Sequence, residues 1–260
     1  MTAADRLADI LSSDVDVPLA ESLLLLAECR PDATTEADSG LAMLDRLAAS
    51  CPAPTVDALV RHVFVDEGFE GDRRDYHDPR NSYLDEVLRR RVGMPITLSV
   101  VLVEIARRLD IDLVGVGMPG HFLVREVDDP EGFIDPFHAG VRIGADACLA
   151  RFRTLHGPDA PFHPSYLDPV PSRSIVQRVL NNLTVTFRSR SPRDLDWLLD
   201  LRVRIPADPP DLRALADLCE LRGRYGEAAD LLDRVETAMA EDAPRDRIRD
   251  RSARLRARLN

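Results

Sequence analysis

The chain has 260 residues, 45% of them apolar, and 45 acidic against 34 basic side chains give a net charge of −11. That length builds one large domain or two modest ones, while the acidic balance excludes a broad nucleic-acid surface, which needs clustered cations to displace counterions. Every basic side chain is Arg and Lys is absent, which excludes Schiff-base chemistry and a lysine general base.

Residues 1–50 read as helices over 7–13, 18–30 and 39–50, separated by proline and glycine punctuation. The run "LLLLA" at 23–27 sits in an acidic amphipathic stretch and is far shorter than a membrane span. The first ten residues lack the basic-then-apolar order of a secretory signal, so a cytoplasmic location and no membrane contact are expected. A fourth helix is predicted over 54–69 from the spacing of Val56, Leu59, Val60 and Val63.

Asn81 is placed to N-cap a helix over 82–91, which Gly93 ends. Pro95 then suits the first turn of a helix over 96–109, where a missing N–H costs nothing. That helix is apolar nearly all round, which predicts burial on most sides.

Three short β-rich runs follow at 112–119, 121–129 and 132–140, read as an antiparallel meander. Alternation from His121 puts His121, Leu123 and Arg125 on one face of the middle strand. A helix over 144–157 precedes a Pro-rich crossing at 158–172, the expected domain boundary. Beyond it the chain reads as helical, over 173–190, 192–205, 209–224 and 225–241, with an Arg/Asp tail expected to be a solvated helix. Within it, small Ala216, Ala228 and Ala229 suit a close helical hairpin resembling a tetratricopeptide unit.

Cys29, Cys51, Cys148 and Cys219 are scattered with no C-x-x-C pair, so neither disulfides nor a zinc site is expected, and each reads as a small buried apolar residue. His121 and Asp135 lie fourteen residues apart near the ends of neighbouring predicted strands. Such a pair is either the base half of a nucleophilic triad or a satisfied polar pair closing a strand turn.

The stretch from 66 to 140 carries the motifs NSYLDEVL, RRVGMPITLS, PGHFLVR and FIDPF in order. In these it resembles the bacterial SirB-type family, which joins a transglutaminase-like core to a tetratricopeptide-like helical region. The resemblance implies an α+β fold. A papain/transglutaminase-like core (56–165), with a buried central helix against a small antiparallel sheet, would carry N-terminal helices (1–55) and an all-α C-terminal region (172–260). It also implies the base position for His121, the orienting position for Asp135, and Pro95 where the wider superfamily has its catalytic Cys.

Proline removes the nucleophile and also the backbone N–H that the nucleophilic residue commonly gives an oxyanion hole. A shifted register offers Thr97, or the deeper Ser99, as a hydroxyl nucleophile; the competing reading of Thr97 is a local helix-start hydrogen bond. Cys51 has nothing tying it to His121. His121, Asp135 and His138 together form a conceivable metal-ligand set, although His138 need not converge. No cofactor and no metal are expected. With one Gln, Gln177, and no Lys, the chain is not its own cross-linking substrate. Two functions therefore stand. The favoured one is a non-catalytic interaction protein, engaging a protein partner through its C-terminal helices. The other is a hydrolase or acyltransferase using His121 and Asp135 with Thr97 or a metal-bound water.

Overall fold

The computed structural model describes residues 1–13, 16–239 and 245–259. Helices α1 (Ala3–Ser12), α2 (Leu19–Glu28), α3 (Ala37–Ala49) and α4 (Val56–Arg61) open the chain, and a π turn at His62–Asp66 extends α4. The short strand β1 (Glu70–Gly71) pairs in parallel with β2 (Val92–Gly93), on either side of α5 (Leu84–Arg90). Next come α6 (Pro95–Arg108), strands β3 (Leu113–Val116), β4 (Leu123–Glu126), β5 (Gly132–Asp135) and β6 (Val141–Gly144), then α7 (Ala145–His156) and α8 (Ser172–Arg190).

Helix α6 is the centre. Its side chains from Pro95 to Leu102 are all buried, because α2, α3, α4 and α5 pack against it and β3 and β4 lie on it as well. An apolar sequence around the full helical circumference has this consequence: no face is left that water stabilises. The one acid within it, Glu104, is buried but accepts from the Ala20 N–H at 3.3 Å and from Arg108 at 2.8 Å.

Strands β3 to β6 form an antiparallel meander in chain order, in register Val116↔Leu123, Val124↔Ile134 and Asp135↔Val141. The fourth strand was not anticipated; β6 is an edge strand with mostly exposed side chains, and its apolar Val141 and Ile143 alternate over too few residues to mark a strand by themselves. The strand faces also differ from expectation. Strand β4 begins at Leu123, and Leu123 and Val124 are both fully buried, so His121 lies before the ladder and strict alternation does not govern it. Asn81 does not cap α5. The cap is Tyr83, Asn81 sits in a 3₁₀ turn at Pro79–Asn81, and α5 ends at left-handed Arg91 (φ 61°) rather than at Gly93.

The chain divides into compact units after Ser191, not in the Pro-rich crossing, because α8 packs on α2 and α6 and so belongs to the first unit. The second unit contains α9 (Asp194–Arg202), α10 (Pro209–Leu221), α11 (Tyr225–Thr237) and α12 (Asp246–Arg256). Within it α10 packs on α11 and α11 on α12, with Ala216, Ala228 and Ala229 fully buried as their small size suggested. The helix expected to run to residue 241 ends at Thr237, and the expected positions 240–241 lie outside the described residues. No described helix is long and apolar enough to cross a membrane.

Candidate functional site

The run Met118-Pro119-Gly120-His121 is a turn closed by the His121 N–H donating to the Met118 carbonyl at 3.0 Å. Pro presets the second position and Gly120 takes φ +76° at the third, a conformation that costs a residue with a side chain. The turn delivers His121, buried, to the start of β4. Asp135 ends β5, and its carboxylate caps the following 3₁₀ turn by accepting the His138 N–H at 3.3 Å. The sheet thus brings the two residues together, with His121 Nε2 3.0 Å from Asp135 Oδ2.

Two further side chains join them. His138 Nδ1 is 3.0 Å from the same Asp135 oxygen. Arg151, from α7, has an Nη1 that donates to Asp135 Oδ2 and lies 2.9 Å from His121 Nε2 and 3.2 Å from His138 Nδ1. The carboxylate beside His121 favours a protonated ring, but burial and then the Arg151 charge oppose it and win. The His121 pKa falls from 6.5 to about 3. Burial also lowers the pKa of His138, with Arg73 adding to the effect. Both imidazoles are therefore neutral at physiological pH.

Pro95 is the first residue of α6, with Met94 as its N-cap. Pro95, His121, Phe122 and Tyr76 line one cavity of about 180 Å³ together with Arg178 and Asn182 of α8. Pro95 thus lines the same cavity as His121. Thr97 is not at this cavity. It is fully buried, its hydroxyl donates to the Asn81 carbonyl at 2.7 Å, with the Met94 carbonyl at 3.1 Å, and its oxygen accepts the Met94 N–H at 3.2 Å. A Cβ at Gly93 would stand 2.9 Å from that oxygen, which accounts for the glycine in GMPIT. Ser99 bonds back to the Pro95 carbonyl at 2.8 Å.

The cysteines supply no substitute. Cys51 contacts the Ala53 carbonyl at 3.4 Å. Cys148 sits among Val116, Met118, Leu123, Phe133 and Phe152, and burial pushes its thiol, like that of Cys219, up to about 11. Cys29 and Cys51 are only half-buried, against the expectation of four buried cysteines. His138 does converge on the pair: one ligand atom each from His121, Asp135 and His138 falls within 4.8 Å of the others. Arg151 Nη1 lies against all three donors, so a guanidinium holds the position a cation would take.

Arg151, Arg178, Tyr76 and Asn182 escaped the sequence reading. The signal for Arg178 was its place between Ile175, Val176 and Val179, which are all buried; an Arg beside such a stripe needs a polar destination.

Residues 27–181 match the family model described as transglutaminase-like superfamily. A UPF0162 protein of Xylella fastidiosa (strain Temecula1) is 41% identical over 185 residues, which cover 67% of this chain and 64% of that one. A UPF0162 protein of Pseudomonas aeruginosa is 38% identical over 144 residues, 55% of this chain and 51% of that one. Human F-box only protein 21 is 34% identical over 102 residues, 36% of this chain and 16% of that one. The chain thus spans less than two thirds of the length of these relatives. No solved structure matches it. With the matched segment containing the central helix, the meander and the His121–Asp135 pair, the chain belongs to the transglutaminase-like superfamily.

Proposed function

We propose that this protein is a non-catalytic member of its superfamily, a cytoplasmic binding module acting through protein–protein interaction. The observation that carries the reading is Pro95 on the wall of the cavity that His121 lines. It removes the reactive atom and an oxyanion donor together; one such donor is typically worth about 100–1,000-fold in rate. The state of His121 supports the same reading. A general base works best with a pKa near the operating pH, and His121 is held near 3 by burial and Arg151.

The competing hydrolase reading needs Thr97 or a metal-bound water. The Thr97 hydroxyl is occupied at the helix start, and Arg151 stands among the three possible metal donors. Recurrence of the segment within 16% of an F-box only protein supports a portable module. In the C-terminal unit, the α10–α11 hairpin with its buried alanines suits a tetratricopeptide-like surface for a partner protein.

The test is covalent labelling. Fluorophosphonate and acyl probes are expected to leave the protein unlabelled, with His121→Ala indistinguishable from the native chain. A label that maps to Thr97 and disappears in His121→Ala refutes the proposal.

A further inference from the structure

The cavity beside His121 contains a cation without a counter-ion. Arg178 is half-buried, and among the described residues no carboxylate pairs with it. By contrast, Arg30 holds Asp85 at 2.6 Å and Arg108 holds Glu104 at 2.8 Å. Arg178 uses Nη2 to clamp the turn that carries His121, donating to the Met118 and His121 carbonyls at 2.8 Å each. Its guanidinium lies over the Phe122 ring, 5.4 Å from the centroid. These contacts fix the group in place but leave its charge unneutralised, in a protein of net charge −11.

The other walls add polar atoms. Asn182 donates only a long 3.6 Å contact to the Met94 sulfur. The Tyr76 ring stands against Phe137, and the Arg178 charge acts on its phenol. His121 Nε2 is flanked by a carboxylate and a guanidinium, so either tautomer finds a partner, and Nδ1 is left without one among the described residues. The remaining wall, Pro95 and Phe122, is apolar.

Resting on the non-catalytic reading, we infer that this cavity binds a carboxylate group, seated on the Arg178 guanidinium with Asn182 and Tyr76 as flanking hydrogen-bond partners. Carboxylate fits better than phosphate: one cation suits a monoanion, and the cavity has no second cationic side chain to meet a dianion. Its volume of about 180 Å³ admits a carboxylate with a short apolar stem, as in a free small acid or the C-terminal residue of a polypeptide.

The experiment is titration of the whole protein with N-acetylalanine, N-acetylalanine amide and inorganic phosphate, followed by NMR of the Arg and Asn side-chain N–H signals. N-Acetylalanine is expected to shift the Arg178 and Asn182 signals saturably, and the amide to leave them unmoved. Arg178→Gln is expected to weaken binding about ten-fold or more, since a hydrogen bond to a charged group is involved. Because Arg178 also clamps the turn, Asn182→Leu, which fills the cavity and keeps the clamp, is the second variant and is expected to abolish the shifts.

A peptide ending in free alanine, compared with its C-terminal amide, separates the two sources: tighter binding than N-acetylalanine assigns a chain terminus, and equal binding a free acid. Equal binding of acid and amide, tighter binding of phosphate, or binding unchanged in Asn182→Leu overturns the inference. Covalent labelling at Thr97 refutes only the non-catalytic reading and leaves these shifts to be judged separately.

Discussion

Replacing His121 by Asn changes the pH dependence of stability in a way the burial of the imidazole fixes. In the unfolded chain the ring titrates at 6.5, while in the folded protein it stays neutral down to about 3. The unfolded state therefore binds the extra proton first as pH falls. The stabilisation from this group is complete above pH 6.5 and is lost between 6.5 and about 3. At pH 4.5, about two units below the unfolded value, the loss is on the order of 3 kcal/mol. His121→Asn has no ring to protonate, so its stability should fall less between pH 7 and 4.5 by about that amount. Urea unfolding of both proteins at the two pH values, followed by circular dichroism, gives the double difference, from which all other titrating groups cancel. An equal fall in both proteins would mean that His121 is protonated in the native state, and the account of burial and Arg151 overriding Asp135 would be refuted.

The Arg151 charge makes its own prediction: Arg151→Met should raise the His121 pKa, read from the ring proton shifts by NMR, whereas no rise would show that burial, with His138 and Arg178, accounts for the shift without Arg151. Pro95→Cys puts a thiol on the cavity that His121 lines, yet with the imidazole held neutral it should alkylate with iodoacetamide at an ordinary rate. The double variant Pro95→Cys/Arg151→Met should react faster on the order of ten-fold, and equal rates would show that Arg151 does not disable the base. Thr97→Val strands the buried Met94 N–H that the hydroxyl accepts and should cost about 1–3 kcal/mol in urea unfolding; a neutral effect would mean the helix start does not depend on Thr97. Gly120→Ala forces a side chain to φ +76° with Leu155 only 3.0 Å away, and should cost about 1 kcal/mol or more.

Local signals in the chain determined a good part of this protein. All-round apolarity gave the buried central helix, Pro95 its first turn, MPGH the turn before His121, and the spacing of His121 and Asp135 their meeting across adjacent strands. Each is written in neighbouring residues as period, cap or turn chemistry, and so survives without knowledge of the fold. That Pro95 starts the central helix was legible as well; that it lines the same cavity as His121 came from the structure. Other features had no local signature. The edge strand β6 has only Val141 and Ile143 alternating over four residues, too short a pattern to mark a strand, and Asn81 looks like a helix cap but is engaged elsewhere, donating to Asp72 at 3.0 Å and to the Asp75 carbonyl at 2.9 Å. Arg151 looks like an ordinary solvated position on its helix, and Arg178, though set beside a buried apolar stripe, gives no sign of which polar group it reaches. Only the tertiary structure carries Arg151 to an imidazole thirty residues away and Arg178 to a carbonyl sixty residues away. Where a long side chain ends is decided by which surface its helix packs against, and that choice rests on the whole core rather than on its sequence neighbours.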